Sequence, residues 1–301
     1  MMMSTPQRLL RWAALSLSVL LATGTASMAV EGATVLPDRA RVASVGGSIT
    51  EIVYALGEEK ALIARDSTSV YPEAVFKLPD VGYMRALSPE GVLSVNPTGI
   101  LALEGSGPKE AIDVLKKASV PYIQVPEGFS HDGILQKIRI VGKALGADAK
   151  AEALAADVGK QLSEAEALTK DIAQGERKRV LFILSMQGGK ILASGNHTAA
   201  DGIIALAGAV NAVEGYPGYK QLTDEAAITA RPDVVLMMDR GGGTAVPDDE
   251  LFAHPAIAST PAGQARRVIR MDGAYLLGFG PRTAAAIKDL AVALYGDAVK
   301  K

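Results

Sequence analysis

Tyr83 and Arg85 stand two positions apart in Gly82-Tyr83-Met84-Arg85. A phenol ionises near pH 10 in water, at about the reference value for tyrosine. A guanidinium beside it favours the phenolate, which is a hard anionic donor. Residues i and i+2 of an extended segment share a face, so this spacing is expected to let the guanidinium reach the phenolate oxygen. Other reactive groups are sparse. The chain holds three His and no Cys, which removes thiolate metal sites, disulfides, iron–sulfur clusters and catalytic thiols. His131, His197 and His254 are scattered, without the short paired spacing of zinc hydrolases. His131 reads as a helix-start residue after Phe129-Ser130, and His254 before Pro255 as a surface turn. His197 precedes Thr198, which with Asp201 makes a capping pair. No Gly-x-Ser-x-Gly elbow is present, and Gly105-Ser106-Gly107 reads as a loop. Gly241-Gly242-Gly243 runs into Thr244 and Pro247, again a loop rather than a phosphate-cradling helix start. The residue inventory therefore points to binding rather than catalysis.

The elements that must position these groups alternate along the chain. Arg41 to Ser44 reads as a strand, followed by a turn at Gly46-Gly47-Ser48. Ile49, Ile52, Val53 and Leu56 then recur at helical spacing, and Gly57 closes that helix. Thr98 to Leu103 is a strand, Pro108 to Ala118 a helix, Tyr122 to Val125 a strand, and Ile134 to Leu145 a helix stopped by Gly146. Asp148 to Ile172 is rich in Ala, Leu, Glu and Lys, and predicts one helix of about 25 residues, roughly 37 Å long at 1.5 Å per residue. The alternation then restarts with a strand over Arg179 to Leu184, a helix over Thr198 to Ala207, a strand over Val234 to Met238 and a final helix over Arg282 to Leu294. The pattern predicts an α/β protein with parallel, covered sheets on either side of a long helix. The boundaries are a leader over 1–29, an N-terminal lobe over 30–146, a linker helix over 147–176 and a C-terminal lobe over 177–301.

The two halves share a local echo. Ser88-Pro89-Glu90 leads to Asn96-Pro97 and an apolar strand, and Thr223-Asp224-Glu225 leads to Arg231-Pro232 and another. In each, the hydroxyl is expected to cap a short helix carrying an acidic first turn, with the Pro marking the stop.

Composition limits the compartment and the partners. The formal net charge is −2, without basic clusters, which gives no footprint for nucleic acid. Arg8 and Arg11, the apolar stretch Trp12 to Ala22 and Ser27-Met28-Ala29 lay out a secretory signal with a cleavage site. That apolar stretch is shorter than the roughly 20 residues a spanning helix needs. With no Cys to carry a lipid, the expected destination is the periplasm, in soluble form.

Several segments together resemble the periplasmic haem-binding proteins of bacterial haem ABC importers. They are Asp66-Ser67-Thr68-Ser69-Val70-Tyr71-Pro72, Leu78-Pro79-Asp80-Val81-Gly82-Tyr83-Met84-Arg85, Leu87-Ser88-Pro89-Glu90-Gly91, Gly195-Asn196-His197-Thr198-Ala199-Ala200-Asp201 and Gly278-Phe279-Gly280-Pro281-Arg282-Thr283. The similarity runs from about Arg41 to the C-terminus, and Gly-Tyr-Met-Arg is its most specific part.

The resemblance implies two α/β lobes joined by one rigid helix, with a largely preformed ligand site in the cleft between them. It implies that Tyr83 is the axial ligand of ferric haem iron, a role phenolates fill elsewhere, with Arg85 as its hydrogen-bond partner. His197 is the candidate for a second donor, and Met186 for a soft contact. Tyr71, Arg65, Tyr219 and Arg240 are expected to line the mouth and meet the haem propionates. Glu90 and Glu225, one on each lobe, are expected to dock on an inner-membrane ABC permease dimer. The protein would then act as a monomer downstream of an outer-membrane haem receptor. The rival ligands on the same fold are a ferric siderophore and cobalamin.

Overall fold

Two strands, β1 (Val42–Val45) and β3 (Gly99–Leu103), are buried at every position. Burial on both faces marks central strands of a covered parallel sheet. The computed structural model, which describes residues 35–239 and 246–299, shows that sheet. The segment read as a leader and the loop containing Arg240 lie outside the described residues. With β2 (Leu62–Arg65) and β4 (Tyr122–Val125), the strand order is β2-β1-β3-β4, all parallel.

The second sheet differs from the expectation of parallel strands. Its strands are β5 (Arg179–Gln187), β6 (Lys190–Ser194), β7 (Val210–Asn211), β8 (Tyr219–Leu222), β9 (Val234–Asp239) and β10 (Val268–Asp272). The order is β10-β9-β5-β6-β8, with the short β7 also pairing β5. β10, β9 and β5 are parallel, whereas β6 is antiparallel to both β5 and β8. The cause is local. Gly188 and Gly189, with φ of 55° and 75°, make a two-residue hairpin turn between β5 and β6. Such turns need positive φ at both positions, and Gly-Gly supplies it without a Cβ clash.

One 20-residue helix, Asp148–Ala167, connects the halves. It packs on the His131–Ala144 helix of the first half and the Thr283–Tyr295 helix of the second. Its buried stripe is Ala151, Ala155, Val158, Leu162 and Ala165, spaced to face one side. The helix is shorter than the sequence suggests. The amides of Leu168, Thr169 and Lys170 bond to carbonyls three residues back, tightening the last turn. Thr169 is then buried against Gly208, where an added Cβ would lie 2.4 Å from the Thr169 Cβ. This tertiary contact draws the chain off the helical path.

The apolar core follows the strand period. Val180 and Phe182 of β5 join a cluster that continues through the connecting helix to the first sheet. Leu181 and Ile183 face the opposite way, into a second cluster with Val235, Met237, Leu251 and Ile257. Residues alternate between faces along a strand, so both faces of this sheet are covered.

The echo segments fold alike. Ser88 Oγ accepts the Gly91 N–H, and Thr223 Oγ1 accepts the Ala226 N–H, each at 3.2 Å. They cap the helices Pro89–Leu93 and Asp224–Ala230. Asn96 and Arg231, each just before a proline, both take positive φ, 51° and 45°.

The close approach of two helices at Gly142 sets a test. A Cβ at Gly142 would lie 2.2 Å from the Ala151 Cβ across the two helices. Gly142→Val is expected to destabilise the protein by about 2 kcal/mol in chemical denaturation. Gly175→Ala, where nothing lies within 4 Å of the added atom, is expected to change stability by under about 0.5 kcal/mol.

Candidate functional site

Asp66 organises the loops around the Tyr-Arg segment. It is fully buried at the end of β2. One carboxylate oxygen accepts the Gly46 N–H at 2.9 Å and the Ser69 hydroxyl at 2.8 Å. The other accepts the Thr68 N–H at 3.0 Å and the Thr68 hydroxyl at 2.7 Å. A buried carboxylate is tolerated when its lone pairs are satisfied in this way. Ser67 N–H then bonds to the Gly82 carbonyl at 2.9 Å, attaching the Tyr83 segment to this knot. Gly82, with φ of 101°, turns the chain there.

Tyr83 and Arg85 do not lie in an extended segment. The Ala86 N–H bonds to the Tyr83 carbonyl at 2.8 Å, closing a turn with Met84 and Arg85 at its centre. Met84 is buried, and its carbonyl accepts the Gly107 N–H at 2.9 Å, so the turn is plugged into the protein from below. Tyr83 is left 46% exposed, and Arg85 is also exposed. Among the described residues no hydrogen bond joins their side chains. The shared face predicted from i, i+2 spacing is replaced by turn geometry.

Arg85 instead acts across the junction between the halves. Its charge reaches Glu127 of the first half and the Tyr219 phenol of the second. Burial pushes the Tyr219 phenol up, while the Thr198 hydroxyl, the Ala200 amide and Arg85 pull it the other way. Tyr219 lies on β8 opposite Ser194, with its ring 6.2 Å from that of Phe182. The His197 loop is next to it. Thr198 caps the Ala199–Leu206 helix, accepting the Asp201 N–H at 3.0 Å, and Asp201 returns the bond to the His197 N–H at 3.0 Å. His197 is exposed, with φ of 57°. Arg85, two residues after Tyr83, is thus within electrostatic reach of Tyr219 and the adjoining His197 loop. Tyr71, 46% exposed, belongs to the Asp66 loop beside the Tyr83 segment.

Other candidates have different surroundings. Arg65 is 9% exposed, pairs with Asp80 at 2.7 Å, donates to the Asp66 carbonyl and lies over the Phe76 ring. Its guanidinium is engaged inside the first half rather than presented to a ligand. Met186 is buried in the second apolar cluster beside Ile191, so it serves packing. Glu90 and Glu225 are exposed on the two capped short helices. The Ser88 hydroxyl donates to Glu90 at 2.7 Å and holds its carboxyl below the usual range.

Sequence reasoning missed a buried ammonium at the junction. Lys137 is 1% exposed. Its Nζ donates to Glu127 at 2.5 Å, Ser48 Oγ at 3.2 Å and the Phe279 carbonyl at 3.1 Å. All three donors are used, and the third spans the two halves. Burial pushes the ammonium down and Glu127 opposes that shift. The signal was present in the sequence: Lys137 falls between Ile134, Ile138 and Val141 on the apolar stripe of its helix.

Two sheets, one connecting helix and a junction holding convergent polar and aromatic groups define a bilobed binding protein. The family model for periplasmic binding protein matches residues 42–275, and the chain belongs to that family. Its solved relatives include the periplasmic heme-binding protein RhuT from Roseiflexus sp. RS-1 in apo form. That structure is 40% identical with a TM-score of 0.80, covering 87% of this chain and 100% of the other. The periplasmic heme-binding protein BhuT in complex with two hemes is 39% identical with a TM-score of 0.80, covering 86% and 98%. The uncharacterized ABC transporter substrate-binding lipoprotein YvrC of Bacillus subtilis is 28% identical over 270 residues, 89% of this chain and 84% of its own. The vitamin B12-binding protein of Yersinia pestis is 25% identical over 199 residues, 65% and 69% respectively.

Lys137→Met removes the donor from Glu127 and from the Phe279 carbonyl. It is expected to cost about 3 kcal/mol in urea unfolding, because one buried partner is left uncompensated. Adding Glu127→Gln is expected to recover most of that loss.

Proposed function

We propose that this chain captures ferric haem between its two halves and hands it to an inner-membrane ABC permease dimer. The observation that carries the reading is the exposed Tyr83 ring on a turn pinned by buried Met84, two residues before Arg85, whose charge reaches Tyr219 of the second half. A phenolate fixed at such a junction suits oxidised iron as a hard donor. Arg85, two residues on, brings a positive charge to the same turn. Tyr71 and Tyr219 are the proposed flanks of the macrocycle, and Arg240, the residue proposed for a propionate, lies outside the described residues. His197, on the second half, is the candidate for a donor on the other face of the iron. The names of solved relatives near 40% identity support haem as the cargo.

In this reading residues 1–29 direct export and are removed, and the mature chain works in the periplasm as a monomer, receiving haem that an outer-membrane receptor admits. The protein binds and releases its cargo without turning it over. Glu90 and Glu225 present one carboxylate from each half to basic groups of the permease, and the Ser88 hydrogen bond keeps Glu90 anionic as pH falls.

Titration of hemin followed by absorbance tests the ligand, with cobalamin and a ferric siderophore as parallel arms. The wild type is expected to show a shifted Soret band saturating near one equivalent, with micromolar or tighter affinity, about −8 kcal/mol or better. Tyr83→Ala is expected to weaken hemin binding at least about tenfold, the loss of roughly 1.4 kcal/mol. Saturable cobalamin binding with no response to hemin refutes the proposal.

Docking has its own assay. Glu90→Ala combined with Glu225→Ala is expected to leave hemin affinity unchanged. It is expected to lower stimulation of ATP hydrolysis by the reconstituted permease about tenfold, in keeping with loss of close charge pairs at an interface.

A further inference from the structure

Beyond the Phe279 carbonyl, the Gly278-Phe279-Gly280-Pro281-Arg282 segment meets the first half at Phe279, Gly280 and Arg282. The Phe279 carbonyl accepts from Lys137. The Phe279 ring meets Phe129 edge-on, with centroids 5.2 Å apart. A Cβ at Gly280 would lie 3.4 Å from that of Ser48 and 3.5 Å from a Glu51 carboxylate oxygen. Arg282 then donates from Nε and Nη2 to the two oxygens of Glu51, at 3.0 and 2.5 Å. The Glu51 side chain is 9% exposed, so this is a sheltered, bidentate pair whose geometry is fixed by the planar fork.

The same guanidinium lies over the Tyr71 ring, with its carbon 3.8 Å from the ring centroid. It also stands 5.4 Å from the Tyr275 centroid, and Tyr275 is itself tied by its hydroxyl to Asp289 at 2.9 Å. A guanidinium can pair through its edge and stack through its face at once, which an ammonium cannot. Tyr71 therefore has one face covered from the opposite half, while much of its ring stays exposed beside the Tyr83 turn.

We infer that Arg282 is a positioning residue for haem capture: locked onto Glu51, it holds the Tyr71 ring from the other half so that the uncovered face of the ring meets the porphyrin. This role rests on the haem reading above. Arg282 itself need not touch the ligand.

The experiment is a double-mutant cycle between residues 71 and 282, read in hemin titrations of the full mature protein and in thermal unfolding of its ligand-free form. Arg282→Lys keeps a cation for Glu51 and loses the planar stack. It is expected to weaken hemin binding about fivefold, the size of one sheltered cation–π contact, in the wild-type background. In the Tyr71→Leu background the same change is expected to have less than about a twofold effect. Equal weakening in both backgrounds, or none in either, overturns the inference. Without ligand, the shifts in Tm from the two single changes are expected to be non-additive. Additive shifts sink the role of Arg282 and leave the haem reading standing, whereas a wild type that ignores hemin sinks both.

Discussion

Two sheets joined by a single helix must be held at a fixed separation by side-chain ties, and the fully buried Lys137 ammonium is the central one. It sits on a first-half helix and reaches a second-half carbonyl, with Glu127 and Ser48 completing its donors. A charge so placed is costly unless every proton is accepted. The three acceptors therefore fix where Phe279 lies relative to the Ser48 helix, and through Phe279 the start of the C-terminal helix. The Glu51–Arg282 pair and the contact of Gly202 with Phe129, where a Cβ would approach the carbonyl to 2.5 Å, add to the same junction.

The binding region inherits its order from these ties and from Asp66. Neither Tyr83 nor Tyr71 is held by its own hydroxyl among the described hydrogen bonds. Tyr83 is placed by a turn plugged by Met84, and Tyr71 by the Asp66 loop together with the Arg282 guanidinium over its ring. Both rings keep exposed surface, which suits a flat ligand of large apolar area. In a chain with only 5% aromatic residues, two exposed rings on adjoining loops are a local concentration that core packing does not explain.

Much of the first sheet could be read from the chain itself. β1, β3 and β4 are apolar runs separated by amphipathic stretches, and Gly57 and Gly146, at φ of 69° and 64°, end helices where the pattern stops. The caps at Ser88, Thr223 and Thr198 follow from residue type and spacing alone. The second sheet was less legible. β6 and β8 are short and partly exposed, and the Gly188-Gly189 hairpin signal between β5 and β6 changes a parallel arrangement into a mixed one.

What the sequence by itself determined is therefore the set of local elements and the candidate chemistry of Tyr83 and Arg85, because helix periodicity, capping and turn residues act within a few positions. The tertiary structure decided three things: that the Tyr-Arg segment is a turn, that Arg65 and Met186 are occupied by the fold, and that Lys137 reaches Phe279 while Glu51 meets Arg282. Each of these depends on partners far along the chain. Ser67 and Gly107 pin the turn, Asp80 takes Arg65, and Glu51 lies 231 residues from Arg282. Such pairings are selected by the closure of the whole core, and no local pattern encodes them.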